Sequence, residues 1–366
     1  MAVPQLLWLG QDLYALGLVE KIPDTIERIT FNRDLLIASN MVYECKNIDD
    51  FFSTGNSASM LNGTDWLYSD IEYINEDGIT TWSGIVTNIR CNHREKKAYI
   101  ETKDNLFSFR DKYISYTSSD WETAADAALN IMSQESYTAY DAKSFQDSAN
   151  YLDSLSAYLK VKINIEDNVT LFQTLEQLGI FGGADVYSHL GQTYFKVWKP
   201  HTGGVSLTLN TNRDNRLKNA PIVNYLEPQM INDYDIDYDG SLGVPLTDSA
   251  GGNIGSVSRS KYGTRGLEPM NTGTGSMYTF KDSTTAQAIG EIYINRSHYA
   301  LSTQPRPLVK IQFNLDIKFK QYITLGSKFK LNLTDENWTD KIFEVYEFRR
   351  GEDRQNINIV AYEVVA

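Results

Sequence analysis

The sequence predicts a mainly β chain of the α+β kind: two small antiparallel barrel- or sandwich-like domains with a helix-containing region between them. Three observations carry this. The last third alternates apolar and polar residues at period two, residues 25–115 hold strand-like runs divided by turns, and two helix-initiation motifs fall between these regions. The expected divisions are 1–118 for an N-terminal β domain, 119–200 for a helical and hairpin insert, and 201–366 for a C-terminal β domain. The last of these carries long loops, one helix at about 283–300 and a terminal barrel-like sheet.

In chain order, residues 25–31, 66–74, 80–90 and 98–102 are expected as strands. Asn62-Gly63 and Asp77-Gly78 mark turns, and Asp-Gly between two β runs signals a hairpin. Ser119-Asp-Trp-Glu122 has the form of a capping box, in which a hydroxyl and an acid satisfy the open amides of a helix start. Trp121, Ala124, Ala125, Ala128, Leu129 and Met132 then form an apolar stripe. A second helix is expected over 145–158, a strand over 160–165, and a third helix from the box Thr170-Leu-Phe-Gln173 to Gly179, with Leu171, Leu175 and Leu178 facing a core. Residues 184–187 and 193–198 flank His189-Leu-Gly191 as a hairpin.

Residues 200–270 are rich in Gly, Asn, Asp and Ser, with short strands expected at 205–209 and 234–238. The stretches 210–218 and 248–255 offer little apolar surface and are expected to be mobile. The pairs Tyr262-Gly263 and Arg265-Gly266 punctuate the end of a strand, since glycine takes positive φ without steric cost. A helix opens at Ser283 or Thr284 and lines Ala286, Ile289 and Tyr293 along one face. Beyond Pro305 and Pro307, residues 308–315 set Val309, Ile311, Phe313 and Leu315 against Leu308, Lys310, Gln312 and Asn314, and 328–333, 342–348 and 357–364 repeat the alternation. The first and last β regions suggest two related barrels.

The 366 residues suffice for two or three cores. With 47 acidic against 34 basic residues, net −13, the chain lacks the footprint of a protein that grips phosphates, so sequence-specific nucleic-acid binding is not expected. The local basic cluster Arg90, His93, Arg94, Lys96 and Lys97 reads as a charged hairpin turn. Cys45 and Cys91 make no disulfide framework, which fits assembly in a reducing cytosol. The apolar N-terminus lacks the basic region of a secretory signal, and no segment reaches transmembrane length, so membrane insertion is not expected.

Chemical motifs are sparse. Asp235-Ile-Asp-Tyr-Asp-Gly240 matches the front of a calcium loop, but Leu246 stands where an EF-hand needs a bidentate Glu. Asp235, Asp237 and Asp239 remain a weak cation candidate, set against a plain strand with Tyr234, Ile236 and Tyr238 buried. The four histidines are scattered, and no HExxH, paired-Cys, GxSxG or Walker motif occurs, so no catalytic residue and no cofactor is expected. The 23 Tyr, 15 Phe and 6 Trp suit either sugar-stacking platforms or ordinary strand faces.

Four features, in order, resemble the baseplate-hub or tail-tip-hub family of phage tails and related injection machines. They are Thr81-Trp-Ser-Gly-Ile-Val-Thr-Asn-Ile89 (the family's Trp-x-Gly-x-Val strand), the helix and hairpin of 170–198, Ser260-Lys-Tyr-Gly-Thr-Arg265 ahead of a helix, and Ile323-Thr-Leu-Gly-Ser-Lys-Phe-Lys-Leu331. In the last, Ser327 stands where the family usually has aspartate. The resemblance implies a structural, non-enzymatic virion protein, assembled in the host cytoplasm. It also implies a homotrimeric ring with two tube-type barrels per chain that adapts a sixfold tail tube to threefold symmetry. Tail tube protein, the end of the tape-measure protein, and a central spike or tip would be its partners, and an acidic pore would let DNA slide. Tyr262, Gly263, Arg265 and Gly266, with the stretch 248–255, are the assembly candidates. A glycan-binding tail-tip protein and a polysaccharide-degrading tail enzyme are the competing readings.

Overall fold

The computed structural model describes residues 3–22, 25–28, 39–75, 78, 80–155, 160–201, 204–205, 207–211, 217–226, 229–240, 245–248, 254–298, 304–316, 323–350 and 356–364. The first strands are β1 (Gln5–Trp8), β2 (Gln11–Asp12), β3 (Val19–Lys21), β4 (Thr25–Arg28), β5 (Asn40–Lys46), β6 (Asp70–Ile74), β7 (Thr80–Asn92) and β8 (Lys97–Lys103). The middle holds β9 (Tyr113–Thr117), α1 (Ala124–Gln134), α2 (Ala142–Leu155), β10 (Val161–Thr170), α3 (Leu171–Gly182), β11 (Ala184–His189) and β12 (Gln192–Val197). There follow β13 (Thr208–Asn210), β14 (Ile222–Tyr225), β15 (Asp235–Ile236), β16 (Leu246–Thr247), α4 (Ser256–Tyr262), β17 (Tyr278–Phe280) and α5 (Ser283–Ser297). The chain then ends in β18 (Val309–Asp316), β19 (Lys328–Leu333), β20 (Trp338–Arg350) and β21 (Asn356–Glu363). The fold is mainly β with helices, as its residue pattern predicts.

Two seven-stranded sheets dominate. The N-terminal one runs β2-β1-β6-β7-β8-β5-β3, and the C-terminal one runs β13-β19-β20-β21-β18-β14 with β4 paired to β20. The alternation of β18 is borne out, with Val309, Ile311, Phe313 and Leu315 fully buried. In the N-terminal sheet Trp82 is buried, and a Cβ on Gly84 would collide with the carbonyl oxygen of Lys103. The Trp-x-Gly pattern therefore reflects a close approach of β8 to β7.

Apolar side chains gather in three cores. One lies on the N-terminal sheet around Trp8, Tyr43 and Ile100, and one on the C-terminal sheet around Phe313, Phe329 and Phe343. The middle core joins α1, α2 and α3 to Leu106, Phe109, Tyr234, Phe280 and the α5 residues Ala286, Ile289 and Tyr293. Helix α5, assigned from the sequence to 201–366, thus packs with the 119–200 region. Its apolar face meets β15, β16 and β17, and the Tyr293 hydroxyl donates to Ile180 O of α3 at 2.7 Å.

Several local expectations differ from the structure. Helix α1 is capped by Thr123, whose hydroxyl accepts from Asp126 N at 3.0 Å, while Glu122 is engaged by the hydroxyls of Tyr116 (2.9 Å) and Ser118 (2.8 Å). The box at Ser119 is therefore not used. Asp282 rather than Ser283 caps α5, accepting from Thr285 N at 2.9 Å. The Thr170 box is formed as expected, but α3 continues to Gly182 and ends on left-handed Gly183. Strand β6 starts only at Asp70, because Tyr68 takes φ +62. Of the run 25–31 only β4 is described; Asp77 and residues 212–216 also lie outside the described residues. Lys218, at the end of a stretch expected to be mobile, is tied to Asn314 O at 2.9 Å and to Asp316 at 2.8 Å.

Candidate assembly interface

Tyr262, Gly263, Arg265 and Gly266 come together in one surface turn at the end of α4, so they follow a helix and not a strand. The fully buried Asn232 holds this turn. Its Nδ2 donates to Ser258 Oγ (3.2 Å) and Gly263 O (2.9 Å), and its Oδ1 accepts from Arg265 N (2.7 Å). Gly263 has φ 76 and nothing within 4 Å of a built Cβ, so backbone conformation, not crowding, selects glycine there. The Tyr262 hydroxyl donates to Pro305 O at 3.0 Å, which spends it inside the molecule. Gly263, Thr264 and Gly266 face solvent, as do Lys261 and Val257 on α4.

Asp248 departs from the expectation of mobility. It is fully buried, its carboxylate pairs with Arg259 and accepts from Gly255 N at 3.3 Å. Arg259 also donates to Asn232 O at 2.6 Å. An unpaired carboxylate in that position would be costly, so the pair anchors the lead into α4. Residues 249–253 lie outside the described residues.

Asp235, Asp237 and Asp239 do not converge. Tyr234 and Ile236 are buried and Tyr238 half-buried, while Asp239 is exposed and accepts from Thr274 Oγ1 at 2.7 Å. Burial, with Asp237 and Asp233 nearby, raises the Asp235 pKa. Among the described residues no group of three His, Cys, Asp or Glu is placed to hold a metal ion.

Residue reasoning missed a polar seam between the β11–β12 hairpin, α5 and the C-terminal sheet. The Arg296 guanidinium pairs with Asp185 and donates to the Tyr346 hydroxyl at 3.2 Å, all three being buried. Burial pushes the Asp185 pKa up, opposed by the guanidinium. Desolvation works against the Arg296 cation, but the charge of Asp185 outweighs it and holds the group ionised. Beside them, Lys196 pairs with Glu344 and donates to Gly326 O at 2.9 Å. No local motif marks these residues, because their partners lie far apart in sequence.

No protein-family model and no curated protein matches the chain. Its fold is that of phage tail proteins, the class its sequence resembles. In particular it is similar to the tail protein from Neisseria meningitidis MC58, with TM-score 0.57 and 11% identity over 99% of this chain and 96% of that one. It is also similar to the 43 kDa tail protein of prophage MuSo2 from Shewanella oneidensis (TM-score 0.54, 12% identity, 98% and 97% covered). A third likeness is to prophage tail protein gp18 from Listeria monocytogenes EGD-e (TM-score 0.54, 9% identity, 99% and 94% covered).

Proposed function

We propose that this chain is a structural component of a phage-type tail, a hub whose copies form a trimeric ring joining the tail tube to a central spike or tip and lining the DNA channel. The observation that supports it is the likeness to tail proteins along nearly the whole of both chains. A strand from near the N-terminus paired into the C-terminal sheet, and a buried ion pair beside it, also suit a part that bears load without rearranging. The role is scaffolding rather than catalysis. Tail tube protein, the tape-measure end and a spike or tip protein are the partners, and the exposed turn of Gly263 and Gly266 is one contact surface. Its place is the tail or baseplate of the virion, after assembly in the host cytoplasm.

Negative-stain electron microscopy of the concentrated protein tests this directly. Threefold rings with a central pore are the expected result. Compact spikes or fibres would overturn the ring and favour receptor binding.

A further inference from the structure

A cleft of about 730 Å³ lies between the outer face of the N-terminal sheet and the β11–β12 hairpin tip. It falls within the roughly 300–1,000 Å³ usual for binding pockets. Asp70 and Glu72 of β6 line it, with Ser83, Asn105, Tyr137 and Leu190 among the other walls, and none of its lining residues is basic. Neither carboxylate is in an ion pair among the described residues; Glu72 accepts only from Thr80 Oγ1, at 2.5 Å. At the base, the buried Asn105 Oδ1 and Tyr137 hydroxyl make no hydrogen bond of good geometry, while Asn105 Nδ2 is already committed to Gly191 O at 2.9 Å. The open hydrogen-bonding capacity is thus mostly acceptor. It calls for a donor-rich, cationic group on an apolar stem.

The rim is unusual in its backbone. Leu9 (φ 49), Tyr68 (φ 62) and Leu190 (φ 49) all line the cleft in left-handed conformation, from three separate turns. Such strain, of order 1–3 kcal/mol per residue, collects at contact sites. Tyr68 and Leu190 both leave apolar surface exposed there.

The matching group is on the same chain. In the turn between β7 and β8, Arg90 is paired with Glu101, His93 with Asp50, and Lys97 with Glu44. Arg94 and Lys96 are exposed and paired with no carboxylate among the described residues, and Lys96 projects from a left-handed residue at the turn (φ 54). With Glu95 between them the tip is still net positive. The cleft lies beside the middle of β7 and the tip just beyond its C-terminal end: from Ile85 in the cleft to His93 at the tip, eight strand steps span about 26 Å. One molecule does not fill its own cleft.

We propose that the Arg94–Lys96 turn of one copy enters the Asp70–Glu72 cleft of the next, a head-to-tail contact that repeats around a closed ring. The inference rests on the ring reading above. It names the surfaces that the ring uses. Copies of net charge −13 repel one another, so self-assembly needs a local patch of opposite charge, and this cleft and turn supply it. The contact is heterologous, because the two surfaces differ.

Sedimentation velocity over a concentration series tests it with the full chain, with Arg94→Glu/Lys96→Glu, with Asp70→Lys/Glu72→Lys, and with all four changes together. Each reversed pair is expected to raise the concentration for half-assembly at least tenfold, and the fourfold variant to recover most of the loss. Zero-length carbodiimide coupling followed by mass spectrometry is expected to join Lys96 to Asp70 or Glu72 between copies. Circular dichroism melts confirm folding; if a cleft pair melts early, Asp70→Lys alone, at an exposed position, replaces it. Assembly that ignores both reversals, without the Lys96 cross-link, overturns this contact while leaving the ring intact. A chain monomeric at every concentration also overturns it, and imaging of the chain on assembled tails then decides the ring reading separately.

Discussion

The two large sheets are built in opposite ways. The N-terminal sheet draws all its strands from residues 5–103 and encloses its own core, whereas the C-terminal sheet depends on the rest of the chain. It takes β4 from near the N-terminus onto one half of β20, and Tyr187 of the hairpin enters its core. Its flank is fastened by Arg296–Asp185 and Lys196–Glu344, and its own Glu363 holds Arg306 (2.8 and 2.5 Å) and the backbone of Val309 (3.1 Å). The difference teaches that one sheet is a local folding unit, while the other is a meeting place.

The strongest way to break this contrast is Asp185→Ala. It strands a buried guanidinium and is expected to cost about 3–5 kcal/mol, read as a lowered thermal midpoint, with hydrogen exchange accelerating in β11, α5 and β20 but not in β5 or β8. Next is pH. His298, buried between α5 and β18 with its Nε2 unbonded, has its pKa lowered by desolvation to about 4. The folded value lies below the unfolded one, so its contribution is present above about pH 6.5 and is lost as pH falls toward 4. A chemical-denaturation series from pH 7 to 4 is expected to show a loss of at most about 3 kcal/mol from this group, absent in His298→Gln. Gly84→Ala then tests the other side. Its methyl meets the Lys103 carbonyl, for an expected loss of about 1–3 kcal/mol, with exchange protection lost in β7 and β8 and kept in the C-terminal sheet. The smallest effect is Thr170→Ala, which removes the α3 cap at a cost of about 1 kcal/mol; a midpoint shift no larger than that of an exposed control would refute the capping role.

Much of the β structure was legible. Strands β18 and β19 are each half-buried, so alternation alone separates their faces, and the Thr170 box works because cap and Gln173 are three residues apart. The box at Ser119 misled because the same residues that cap helices also bond to neighbouring strands, which is what Glu122 does. Tyr262-Gly263 correctly marked an element's end, yet seven residues are too few to reveal whether that element is helix or strand.

The sequence by itself determined what depends on near neighbours: the strand faces of β18 and β19, the Thr170 cap, the glycine turns at Gly63, Gly78 and Gly263, the acidic balance and the likeness to tail hubs. Only the tertiary structure decided that α5 belongs to the middle core, that β4 crosses to β20, that Asp248 is buried against Arg259, and that Asp185 meets Arg296. Each of these joins residues remote in sequence. Periodicity encodes which side of an element is apolar, but not which distant surface will cover it, and a buried charge reveals itself only once its partner is in place.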